Sequence, residues 1–172
     1  MRGATGVIDI FLQPGEYYVG DADHRIRTLL GSCVSVTLWH PAKRVGAMSH
    51  FLLAERGGGP TLVIDGRYGE EAIWLMLREL ARAKVDPTHC QAKIFGGGDM
   101  FQRHGGNDAP NIGKKNGEAA RSLLHAHGIP IVSESLYGAG HRKVIFDVAS
   151  GDVWVRQVKP VDAGAPAARK SA

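Results

Sequence analysis

Residues 33–53 read CVSVTLWHPAKRVGAMSHFLL, and the fold class follows from how this stretch alternates. From Cys33 to Trp39, Val34, Val36 and Leu38 fall on one side, while Cys33, Ser35 and Thr37 fall on the other. A period of two marks a half-buried strand with two unlike faces. His40-Pro41-Ala42-Lys43-Arg44 makes a polar loop, and Val45 to Leu53 reads as the return strand. The stretch is therefore a β-hairpin.

Upstream, Gly6–Leu12 carries Val7, Ile8, Ile10 and Phe11 and reads as a strand stopped by Pro14-Gly15. Glu16–Val19 and Ile26–Leu30 are two more, the second halted by Gly31-Ser32. Downstream, 55–68 is a Gly-rich loop. Glu70–Lys84 is then a helix, with Ile73, Met76, Leu77 and Leu80 on one stripe and Glu70 and Glu71 in the first turn. Ala92–Phe95 reads as a buried strand ending in Gly96-Gly97-Gly98. A second helix runs from Asn111 to His127, its stripe Ala120, Leu123, Leu124 and His127, with Gly128 as its stop. Ile129–Glu134 is a strand, and Lys143–Val148 with Val153–Val158 form a closing hairpin around Ser150-Gly151. Strands outnumber helices too strongly for a doubly wound sheet. The expected class is α+β, with mixed β-sheets packed together and helices outside.

The 172 residues suit one domain, expected over residues 1–160, followed by a disordered tail over 161–172 that lacks large apolar side chains. A hydrophobic fraction of 44% with 22% charged residues excludes wholesale disorder. No apolar run approaches a membrane span and the N-terminus does not resemble a signal peptide, so the expected compartment is the cytoplasm. Two cysteines are too few for a disulfide framework. The net charge of +4 favours an acidic partner, but the Lys and Arg residues are scattered, which is not a nucleic-acid footprint.

Cys33 is the first candidate for chemistry. A free cysteine is most often a small buried hydrophobe, yet Cys33 shares its face with Ser35 and Thr37 rather than with the valines. Gly31-Ser32 before it allows a tight bend that leaves backbone N–H groups near the thiol, where they can hold an oxyanion. His50 lies on the return strand. Folding the hairpin about positions 41–42 places it opposite Cys33, where an imidazole raises the thiolate fraction. A hydroxyl from Thr28, Ser32, Ser35 or Thr37 can orient the imidazole, and the sequence does not choose among them. Other groups carry less. Gly96-Gly97-Gly98 lacks the P-loop lysine and either walls a site or simply turns. His125 and His127 point to different helix faces, Cys90 and His89 have no second cysteine nearby, and His141 and Arg142 read as solvated loop residues.

Leu30-Gly31-Ser32-Cys33-Val34 and Gly46-Ala47-Met48-Ser49-His50 resemble the CheD family of chemoreceptor glutamine deamidases. So do Lys93-Ile94-Phe95-Gly96-Gly97 with Met100-Phe101, then Asn111-Ile112-Gly113, Asn116 and Glu118-Ala119, and finally Val153-Trp154-Val155-Arg156. The resemblance spans residues 6–158. It implies a fold like that of bacterial toxins that deamidate a glutamine in small GTPases. It also implies hydrolysis of glutamine side chains on methyl-accepting chemotaxis receptors, and for some members a CheC-type phosphatase partner. Membrane insertion, nucleic acid, metal and organic cofactor have no place in that chemistry. A non-catalytic adaptor docking on receptors or on the phosphatase is the alternative. The family's cysteine and histidine map to Cys33 and His50, with Gly31 and Ser32 as backbone support for the oxyanion. Its third catalytic residue is a threonine. The register for it, six residues before the cysteine, holds Arg27; the nearest threonine is Thr28, five before.

Overall fold

The computed structural model describes residues 6–59, 61–100 and 111–158. Their order is β1 (Ile8–Phe11), β2 (Tyr17–Gly20), β3 (His24–Leu30), β4 (Val34–His40), β5 (Val45–Ser49), α1 (Gly69–Arg82), β6 (Gln91–Gly96), α2 (Ile112–Ala126), β7 (Ile131–Leu136), β8 (His141–Asp147) and β9 (Val153–Val158). Two mixed sheets result, one ordered β1-β3-β8-β9 and the other β2-β5-β4-β6-β7.

Alternation in β4 explains the layering. Val34, Val36 and Leu38 pack with Ile73, Met76 and Leu80 of α1 and Ala120 and Leu124 of α2. A second core lies between the sheets, where Ile26 and Leu30 of β3 and Val144 and Phe146 of β8 meet Met48 of β5 and Phe95 of β6. The order is thus sheet, sheet, helices, the α+β sandwich expected, with both helices on the outer face of the five-stranded sheet. Removing an aliphatic side chain such as Val36 from water stabilises the fold by about 1.5–3 kcal/mol. β4 is buried on both faces, not one, because the second sheet covers Ser35 and Thr37 as fully as the helices cover the valines.

Several bounds differ from expectation for local reasons. β5 ends at Ser49, because the next residues turn to the 55–68 loop: Leu52 and Leu53 N–H both donate to Arg67 O. β7 begins at Ile131, because Ile129 N–H closes α2 on Leu124 O while Gly128, at φ +68°, donates to His125 O. These two bonds make a Schellman stop. α1 stops at Arg82 in the same way, with Lys84 in the left-handed position at φ 58°. β1 pairs parallel with β3, a non-local choice that alternation does not encode. The tail 161–172 and Phe101 lie outside the described residues. Among those described, no helix is long and apolar enough to cross a membrane.

Candidate active site

Cys33 stands immediately before β4 and His50 immediately after β5. The ladder puts Thr37 opposite Met48 and Leu38 opposite Ala47, and the same register reaches Val34 opposite Phe51. His50 therefore falls across from Ser35, and Leu52 across from Cys33. The expectation that Cys33 and His50 oppose each other directly is corrected. The hairpin turns later than position 41–42, with Arg44 N–H bonding His40 O and Arg44 at φ 52°. The two residues are diagonal neighbours on one face of the sheet, a relation that usually separates Cα atoms by roughly 7–8 Å. That face looks into the gap between the sheets, where Cys33 packs at the edge of the Met48–Phe95 core.

The third residue comes from the other sheet. In β3, Ile26, Thr28 and Leu30 point inward while Arg27 and Leu29 are exposed. Thr28 Oγ1 lies 2.7 Å from His50 Nδ1 and donates to Leu12 O at 2.8 Å. A carbonyl oxygen only accepts, so the hydroxyl proton goes to Leu12 and His50 Nδ1 carries the proton it donates to Thr28. Nε2 is then the lone-pair nitrogen. It is buried and has no hydrogen-bond partner among the described residues, the thiol included. The backbone on either side is pinned, His50 N–H to Glu16 O at 3.0 Å and Gly15 N–H to His50 O at 2.8 Å. Arg27, at the position expected for the threonine, points outward toward Asp9 at 3.7 Å. Ser35, another hydroxyl candidate, is engaged with Ser49 O.

Burial sets the protonation states. It lowers the His50 pKa to about 4 and raises the Cys33 thiol. Near neutrality both groups rest uncharged, a thiol beside an imidazole rather than the thiolate–imidazolium pair expected from proximity. The Cys33 N–H is turned toward its own sulfur, which works against the rise. Cys33 is partly accessible, whereas Cys90 is fully buried, with a thiol pushed up to about 11 by desolvation.

The Gly96–Gly98 turn does wall the site. Gly97 N–H holds Cys33 O and Gly98 N–H holds Gly31 O, each at 2.9 Å. A Cβ on Gly31 would meet Met100 Sδ at 3.1 Å, so a glycine there keeps the bend close to this wall. Asn116, from α2, donates through Nδ2 to Ser32 O at 3.1 Å and Leu52 O at 2.8 Å, tying the cysteine loop to the chain after His50. Residue spacing did not assign Asn116 this duty; it entered only among the residues that carry the family resemblance, with no role attached. Arg142, read from sequence as a solvated loop residue, lies instead within β8 and is 2% exposed.

A reachable thiol, an imidazole with a free Nε2 and a hydroxyl that fixes its tautomer define a candidate cysteine-hydrolase site on an α+β sandwich. A family model described as CheD chemotactic sensory transduction matches residues 52–157, more than half of the chain. The protein named probable chemoreceptor glutamine deamidase CheD 2 of Albidiferax ferrireducens is 61% identical over 155 residues, covering 90% of each chain. Probable chemoreceptor glutamine deamidase CheD 3 of Dechloromonas aromatica is 46% identical, covering 90% of this chain and 91% of its own. The probable chemoreceptor glutamine deamidase CheD of Pseudomonas savastanoi is 40% identical, covering 95% and 92%. The chain belongs to the CheD family.

Proposed function

We propose that this protein is a cytoplasmic, single-domain deamidase that converts glutamine side chains of chemotaxis receptors to glutamate through a thioester on Cys33. The observation that carries the reading is His50. Its Nδ1 is committed to Thr28 and its Nε2 is left unpartnered on the face that Cys33 shares.

The chemistry follows from the resting states. As sulfur attacks the side-chain carbonyl carbon, His50 Nε2 takes the thiol proton, so the S–C bond and the imidazolium form together. The oxyanion is held by the Ser32 and Cys33 N–H groups; one such donor is typically worth about 3–4 kcal/mol. The C–N bond breaks as His50 gives its proton to the departing ammonia. Water then enters, His50 takes a proton from it, and the thioester yields glutamate while the proton returns to sulfur. The contact between sulfur and Nε2 is made in the substrate complex, since catalytic hydrogen bonds commonly tighten only there. No step draws on a metal or an organic cofactor. The net charge of +4 assists encounter with acidic receptor surfaces. A CheC-type phosphatase is the second partner this reading allows.

The test is mass spectrometry of a receptor fragment incubated with the enzyme. Each converted site gains about 1 Da, and Cys33→Ala abolishes the gain. An unchanged rate in that variant ends the covalent mechanism. Full restoration of chemotaxis in a deletion strain by folded Cys33→Ala would identify an adaptor instead.

Thr28→Val removes the hydroxyl but keeps the shape. Without the acceptor for Nδ1–H the imidazole loses its fixed tautomer, so kcat should fall about 10–100-fold. The same receptor assay measures this, and an unchanged kcat would assign Thr28 to packing alone.

A further inference from the structure

Among the described residues, Arg142 is a buried cation whose hydrogen-bond acceptors are all neutral. It sits opposite Leu30 on β3, on the inward row of β8 that continues through Val144 and Phe146. Its guanidinium reaches across the gap to the other sheet. Nη1 donates to Gly96 O at 3.1 Å, Nη2 to Tyr137 O and Nε to Ser135 Oγ at 3.3 Å. All three acceptors are uncharged, and none of its contacts among the described residues is to a carboxylate. Desolvation lowers its pKa, but a guanidinium stays protonated throughout the physiological range. Burying a full charge among neutral acceptors is costly, and a neutral amide could serve as a mere tie between the sheets.

The groups it holds lead to the nucleophile. Gly96 pairs with Val34, the residue after Cys33. Tyr137 N–H also donates to Gly96 O, at 2.9 Å, so guanidinium and amide converge on one carbonyl. The next two amides, Gly97 and Gly98, grip Cys33 O and Gly31 O. Tyr137 itself is held at φ 69°, an uncommon backbone for a bulky residue, with its carbonyl turned to Arg142.

We propose that Arg142 is a positioning residue for Cys33: through the Gly96–Gly98 turn it sets the Gly31–Cys33 segment, and its charge favours the anion that forms there during the reaction. The inference rests on Cys33 being the nucleophile. The positive charge is present before any anion exists, so no side chain has to move to meet it.

The experiment compares full-length wild type, Arg142→Gln and Arg142→Lys by thermal unfolding, by iodoacetamide alkylation of Cys33 at pH 7.5, and by receptor deamidation. Fully buried Cys90 serves as the internal reference for alkylation. Arg142→Gln should slow Cys33 alkylation about tenfold and lower kcat about 100-fold, with KM changed less than about threefold. Arg142→Lys keeps the charge and loses the fork, so alkylation should stay within about threefold while kcat falls about tenfold. Wild-type alkylation and kcat in folded Arg142→Gln would overturn the inference. Where the glutamine variant does not fold, the lysine variant decides, and an unchanged kcat in it overturns the inference equally. Alkylation needs no receptor, so it still judges Arg142 if wild type fails to deamidate and the deamidase reading falls.

Discussion

His50→Asn should lower the deamidation rate about 10³–10⁴-fold while making the fold less sensitive to acid. Asparagine keeps a donor near Thr28 but places nothing at Nε2, so only the proton-transfer atom disappears. The acid effect has a definite sign. The folded-state pKa of His50 is depressed from 6.5 to about 4, so between these values the unfolded chain binds the proton and the native chain does not. The stabilisation is complete above pH 6.5 and is lost as pH falls toward 4, to a total of about 3 kcal/mol. Urea unfolding at pH 7 and pH 4 should show wild type losing about that much more than His50→Asn over the interval. Equal losses would mean His50 titrates like a solvated histidine. The rate profile carries the same signature. If a neutral imidazole is the base, the acid limb of kcat/KM lies near pH 4. A limb near 6.5 would indicate a solvated imidazole and remove the neutral-pair mechanism.

Gly96→Ala should cost about 3–4 kcal/mol and the activity with it. Gly96 sits at φ +109°, which an L side chain rarely adopts, and a Cβ there would lie 2.2 Å from Cys33 O and 3.2 Å from Leu30 Cδ1. The carbonyl cannot withdraw without breaking its bond to Gly97 N–H. Relief would therefore displace the Cys33 peptide or the end of β6. Chemical denaturation measures the loss. An unchanged midpoint would show that β6 does not end against the cysteine loop.

What could be read from sequence was what is local. The alternation Val34, Val36, Leu38 assigned the faces of β4 because side-chain direction in a strand depends only on parity. Asn111 and Gly128 bounded α2 because a cap is made within one turn, and Asn111 Oδ1 does accept from Lys114 N–H at 3.0 Å. Hairpin register was one step harder. A turn centred one residue later, with Arg44 in the left-handed region, shifted the register by two and moved His50 from opposite Cys33 to diagonal. The third site residue was harder again. Four hydroxyls were open, and the choice of Thr28 rested on a second sheet packing over the first. The usable signal was Thr28 sitting in the apolar row Ile26, Thr28, Leu30, a polar atom where only a buried partner could satisfy it. Arg142 was misread because its acceptor Gly96 lies 46 residues away along the chain. Sequence neighbours such as Gly138 and Gly140 signalled a loop, and no spacing rule reports a contact between sheets.

Thr28 belongs to one layer of the sandwich, whereas Cys33 and His50 flank strands of the other. In the proposed mechanism, proton transfer is thereby gauged by the clearance between two slabs. A compound that wedged into that seam beside Leu12 and Met48 would part imidazole from hydroxyl and silence the enzyme without ever reaching the sulfur.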